Sequence, residues 1–249
     1  MGIGVFANYL ANFLSFLSLF CGFISIIFSL KSHFTFAAWA IILSVIFDGL
    51  DGQIARLNPS PSEFGKEVDS LIDVISFGIA PSILGYTFVY RDFYVWATLA
   101  LFIYLLCSVW RLALYNITPK QELRNYFYGL PTTISGGVLA SFILIYRNQE
   151  GMFLPRFLPK FLFPKFIPVL FLVLVLCLAF LMVSRVKYFN LDAVKHFAGR
   201  KLGVWVFLLA SGMIASGIFK KEGIFLFSLF SLYLVFSPFV VKKLHKESH

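Results

Sequence analysis

The feature that most constrains this chain is the recurrence of apolar runs long enough to cross a lipid bilayer. FIPVLFLVLVLCLAFLMV, residues 166–183, is one of them. About 20 consecutive apolar residues in a helix span the ~30 Å hydrocarbon core. Inside that core every backbone N–H and C=O needs an internal partner, which leaves helices or a closed barrel. Barrel strands alternate apolar with polar residues, and these runs do not. Composition agrees, since 59% of the 249 residues are hydrophobic and only 13% are charged, against roughly 25% charged in water-soluble domains. The sequence therefore predicts an all-α polytopic membrane protein. It predicts eight spans, near 10–30, 34–56, 68–90, 94–114, 131–147, 167–184, 203–219 and 223–241. No cleavable signal peptide is expected, because MGIGVFANY has no basic residue and leads directly into the first span.

The formal charge of +9 requires no nucleic-acid partner, because membrane proteins distribute Lys and Arg by topology. With eight spans, the segments on the side of the termini carry the larger share. Arg185, Lys187, Lys195, Arg200 and Lys201 form one such group, and Lys242, Lys243 and Lys246 another. This bias predicts both termini on the cytosolic side of the cell membrane, with residues 47–74 on the same side. Anionic lipid headgroups are natural partners for the basic excess.

Residues 1–249 read as one integral-membrane domain without linkers or low-complexity tails. In the connector RNQEGMFLPRFLPKFLFPKF, residues 147–166, Pro155, Pro159 and Pro164 are expected to prevent a continuous helix. Its interleaved Arg, Lys, Phe and Leu suit an interfacial loop, and the closing KKLHKESH suits a solvated tail. Cys21, Cys107 and Cys177 stand singly in apolar runs, and His33, His196, His245 and His249 are scattered, so neither residue type predicts a metal site.

The acidic residues are not scattered. FDGLDGQIARLNPSPSEFGKEVDSLIDV, residues 47–74, places Asp48 and Asp51 on one face of the second span and Asp69 and Asp73 on one face of the third. Pro59 and Pro61 break the chain between them, so two antiparallel helices can bring the faces together. Isolated carboxylates deep in a membrane cost on the order of 2.5–3.5 kcal/mol each. Four that converge need a cation among them. All-oxygen ligation points to a hard ion, Mg2+ or Mn2+. Gly52 and Ala55 permit close approach of a flat or bulky group, and Arg56 could hold a phosphate through a charge-assisted fork. Solvated helix ends paired with Arg56 and Lys66 would account for one or two aspartates but not for four. An ion transporter would also bury carboxylates, but spans five to eight lack the charges that a crossing path needs.

Taken in full, Asp48-x2-Asp51-Gly52-x2-Ala55-Arg56-x8-Gly65-x3-Asp69-x3-Asp73 resembles, without gap or substitution, the signature of the CDP-alcohol phosphotransferases. The resemblance implies a six-helix core, here about 10–184, followed by about two additional C-terminal transmembrane helices, about 203–241. It implies displacement of CMP from a CDP-linked lipid or alcohol by an acceptor hydroxyl. Asp48, Asp51 and Asp69 would ligate divalent metal, as a pair of ions, and Asp73 would be the general base, also near the second ion. Gly52, Ala55, Arg56 and Gly65 would lie against the CDP moiety. A homodimer is typical of the family.

Finer similarity in LFCGFISI, DSLIDVISFGIAPS, WRLALYN, FYGLPTTISGGVLAS and LMVSRVKYFN points to the branch that joins CDP-diacylglycerol to L-serine, giving phosphatidylserine and CMP. The first span departs from the family pattern. Ala11 precedes Asn12 where a Pro-Asn pair is common, and Ser18 stands near the place of a later Asn. For the serine carboxylate, Arg111 with Tyr115 and Asn116 is the expected site, against a reading of Arg111 as a positive-inside anchor. Ser76 and the Phe77-Gly78 pair are expected to serve helix packing. The basic residues near Asp73 (Lys66, Arg111, Lys120 and Arg124) are sparse for a phosphorylated acceptor, so glycerol phosphate or inositol phosphate is the alternative within the same fold.

Overall fold

The computed structural model describes residues 2–55, 63–118, 126–148, 163–189 and 222–247. Seven helices occupy them: α1 (Gly2–Leu30), α2 (Phe34–Ala55), α3 (Glu63–Asp73), α4 (Ala80–Ile117), α5 (Thr132–Asn148), α6 (Phe163–Val183) and α7 (Glu222–Glu247). A π-helical turn, Val74–Ile79, joins α3 to α4. Five stretches are long and apolar enough to cross a membrane: Tyr9–Leu30, Phe34–Ile54, Phe64–Val89, Phe93–Ile117 and Phe166–Val183. Thr132–Tyr146 and Glu222–Pro238 are shorter apolar helices. All the expected spans except the seventh coincide with these helices to within a few residues. The span at 203–219 lies outside the described residues, as do Arg56, Lys120, Arg124 and most of the proline-rich connector. Pro164 is the second residue of α6, where a missing N–H costs nothing.

The polarity of the fold is that of a membrane protein. Along α1, Ala11, Ser15, Ser18, Gly22, Ser25 and Ser29 recur at alternating spacings of four and three, and all are buried. Phe13, Phe16, Phe20 and Phe23, on the other faces, are each more than half exposed. Small side chains let helices approach closely where lipid supplies no hydrophobic drive for association. A Cβ at Gly22 would stand 2.7 Å from Ser76 Oγ of the π turn, and the Ser18 and Ser44 hydroxyls lie 2.7 Å apart across α1 and α2. The chain reverses between these helices through Ser32, whose φ is 58°. Ser32 N–H donates to Ser29 O at 2.9 Å and His33 N–H to Phe28 O at 2.9 Å, which satisfies the end of α1 in a Schellman motif.

The third and fourth spans form a second antiparallel hairpin. Phe93 breaks helical geometry within α4 at φ −141°, ψ 42°. Across the hairpin Asn116 meets Ser70, and the Tyr104 hydroxyl donates to Phe77 O at 3.0 Å. A π turn leaves carbonyls poorly served by the helix itself, and Tyr104, fully buried, answers one of them. Ser76, Phe77 and Gly78 are buried in this turn, in the packing role expected of them. α5 lies between α2 and α7, and α6 packs on α4. Phe88 of α4, Phe142 of α5 and Phe171 of α6 join these three helices in edge-to-face and tilted contacts.

One element was not expected. Two three-residue strands, β1 (Tyr126–Tyr128) and β2 (Lys187–Phe189), pair antiparallel with Phe127 opposite Tyr188. Three residues are too few to display a period of two. Gly129 follows β1 at φ +76°, and a Cβ there would collide with the Met182 carbonyl oxygen, so only glycine fits this return.

Candidate active site

α2 presents Asp48 and Asp51 one turn apart, and α3 presents Asp69 and Asp73 one turn apart. One carboxylate oxygen from each of Asp48, Asp51 and Asp69 lies within 4.8 Å of the other two. Asp73 sits beside this trio at the start of the π turn, in hydrogen-bonding contact with Asp48. Its Oδ1 is buried with no hydrogen-bond partner among the described residues. Two carboxyl groups in contact repel unless a proton or a cation lies between them. The trio of oxygens and the unpartnered Oδ1 of the fourth carboxylate therefore fit a divalent cation, and the absence of Cys or His from the group suits a hard one.

The surroundings leave room for a substrate. Among the described residues nothing lies within 4 Å of a Cβ built on Gly52, beside Asp51. Gly65 lies in the first turn of α3, half-buried. The side chains of Ala55 and Arg56 fall outside the described residues.

Arg111 approaches from α4. It is 9% exposed, donates from Nη1 to Thr132 Oγ1 at 3.1 Å, and interacts electrostatically with Asp73 and Asp48. Its Nε is buried without a hydrogen-bond partner among the described residues. A surface anchor would be solvated; this guanidinium faces the acidic cluster instead. Tyr115 lies at the edge of the site, its ring centroid 5.9 Å from Arg111 Cζ. Asn116 is turned elsewhere. Its amide donates to Ser70 Oγ at 2.9 Å and ties α4 to α3 at an exposed position.

Two side chains at the cluster were not foreseen. Ser15 of α1 donates to Asp51 Oδ2 at 2.7 Å, and Thr133 of α5 donates to Asp48 Oδ2 at 3.1 Å. Their signals were present in the small-residue stripe of α1 and in the Pro131-Thr132-Thr133 start of α5. Neither signal distinguishes packing from polar contact until the helices are placed. From α7, Tyr233 stands near Arg111 and stacks on Tyr188 at 6.1 Å between centroids.

Residues 8–160 match the family model of the CDP-alcohol phosphatidyltransferases, a stretch that contains the whole aspartate cluster. The chain belongs to this family. Among its relatives is the CDP-diacylglycerol–serine O-phosphatidyltransferase of Helicobacter pylori (strain ATCC 700392 / 26695), 34% identical over 178 residues, which are 72% of this chain and 70% of the relative. The enzyme of the same name from Saccharomyces cerevisiae is 35% identical over 137 residues, 49% of each chain. The archaetidylserine synthase of Methanothermobacter thermautotrophicus is 36% identical over 137 residues, 54% of this chain and 58% of the relative. In this CDP-alcohol phosphatidyltransferase, α6, β2 and α7 thus lie beyond the matched family segment, yet Tyr233 of α7 stands near Arg111.

Proposed function

We propose that this chain transfers the phosphatidyl group of CDP-diacylglycerol to the hydroxyl of L-serine and releases CMP, as a multi-pass membrane enzyme. The observation that carries this reading is the pairing, in one buried site, of an orphaned carboxylate oxygen, Asp73 Oδ1, with an orphaned guanidinium nitrogen, Arg111 Nε. An acceptor with a hydroxyl for the first and a carboxylate for the second would satisfy both. Serine has both groups. Inositol phosphate or glycerol phosphate would bring a dianion to a site where Arg111 is the buried cation among the described residues.

In this reading Asp48, Asp51 and Asp69 hold Mg2+ or Mn2+, with Asp73 bordering a second ion. When bound, the metal supplies Lewis-acid polarisation of the diphosphate and neutralises charge on the departing CMP. Gly52, with Ala55, Arg56 and Gly65, receives the CDP group. Arg111 fixes the serine carboxylate, and Tyr115 borders it. Asp73 accepts the serine hydroxyl proton as the serine oxygen bonds to the phosphorus that carries diacylglycerol, and the bond from that phosphorus to CMP breaks. A carboxylate is a weak base for an alcohol, so proton transfer comes late, as the new bond forms. The site faces the cytosol, with both termini on that side, and the family resemblance implies a homodimer.

Incubation of membranes containing the chain with radiolabelled L-serine tests the reaction. Label entering the lipid fraction as phosphatidylserine, only when CDP-diacylglycerol is added, is the expected result. Label that stays water-soluble would overturn the assignment.

A further inference from the structure

The proposed metal site draws two hydroxyls from helices that contribute none of its carboxylates. We infer that Ser15 and Thr133 are positioning residues that fix Asp51 and Asp48 for metal binding, so that α1 and α5 clamp the acidic face of α2 from either side. This rests on the metal reading given above.

Each hydroxyl occupies Oδ2 of its aspartate, at 2.7 Å for Ser15 and 3.1 Å for Thr133. A single hydroxyl does not exhaust the lone pairs of a carboxylate, and one oxygen each of Asp48 and Asp51 still lies within 4.8 Å of the other and of an Asp69 oxygen. Ser15 also lies 3.1 Å from Ala11 O, but it has one proton, and the shorter contact to a charged acceptor takes it. Ser15 and Asp51 are buried, at 6% and 4% exposure, so water does not compete for the bond. An aspartate without such a partner can turn about its side-chain torsions and lose the common focus with its neighbours. Hydrogen bonds from outside the ligand shell are what fix liganding carboxylates, and their loss typically costs 10–100-fold in metal affinity.

The fold allows the hydroxyls to be removed cleanly. Ser15 belongs to the small-residue stripe of α1, so Ser15→Ala keeps the close helix approach and deletes only the hydroxyl. Thr133→Val preserves side-chain volume. Ser18, on the same stripe, bonds Ser44 rather than an aspartate, which makes Ser18→Ala the matched control.

The test is the Mn2+ concentration that gives half-maximal thermal stabilisation of the purified protein in detergent, with no substrate present. Ser15→Ala and Thr133→Val are expected to raise it 10–100-fold. Ser15→Thr, Thr133→Ser and Ser18→Ala should stay near the unsubstituted value. Folded Ser15→Ala and Thr133→Val proteins with unshifted Mn2+ response would overturn the inference while leaving the metal reading intact. An unsubstituted protein with no Mn2+ response would overturn the metal reading, and the inference with it.

Discussion

Asp73 Oδ1 and Arg111 Nε are buried atoms that a purely structural role does not explain. A carboxylate oxygen and a guanidinium nitrogen without partners among the described residues cost stability that a bound substrate would recover. For Asp73→Asn the expected outcome is a 10²–10⁴-fold fall in kcat, the range for loss of a positioned general base, read from the rate of CMP release at saturating substrates. Arg111→Lys keeps the charge but loses the planar fork that matches a carboxylate. It should raise KM for serine more than it lowers kcat, with KM for CDP-diacylglycerol little changed. Steady-state kinetics with each substrate varied in turn would separate the two. Equal effects on both KM values would mean that Arg111 supports the site as a whole rather than the acceptor.

At the scale of elements, Gly22 of α1 and Gly52 of α2 make opposite predictions. Gly22 has Ser76 Oγ and Cα within 3 Å of any added Cβ, and both belong to the rigid π turn. Gly22→Ala should destabilise by about 1–3 kcal/mol, the usual cost of overpacking, seen as a lower melting temperature in detergent. Gly52 has no atom of the described residues within 4 Å of an added Cβ, so Gly52→Ala should leave stability unchanged or raise it by roughly 0.5–1 kcal/mol through helix propensity, yet raise KM for CDP-diacylglycerol. The same contrast marks what the sequence could disclose. Helix positions were legible because apolar length is a one-dimensional signal, and the aspartates because their spacing of three and four residues sets a face. The bonds of Ser15 to Asp51 and Thr133 to Asp48 join residues far apart in sequence, so they depend on helix crossings that no local pattern encodes. The π turn after Asp73 and the three-residue strands were hidden for a related reason, since each departs from regular periodicity over too few residues to register. Asn116 was expected beside the serine carboxylate from its nearness to Arg111 in sequence, and its bond to Ser70 Oγ is a further contact that sequence alone did not disclose.

For the whole molecule, the proposed cytosolic orientation rests on the distribution of basic residues along the sequence. A single Lys246→Cys label, in a background with Cys21, Cys107 and Cys177 replaced, should react with a membrane-impermeant thiol reagent only after the cytosolic face is opened. Reaction from the outside would reverse the assigned orientation. The central claim is the pairing of the family's chemistry with serine as acceptor. It is tested most directly by CMP release from the purified protein with CDP-diacylglycerol and Mn2+, offering L-serine, glycerol 3-phosphate and inositol phosphate separately, with Asp73→Asn as the control. Release with serine alone, lost in the substituted protein and on chelation of the metal, is the predicted result. Release with a phosphorylated acceptor and not with serine would contradict it.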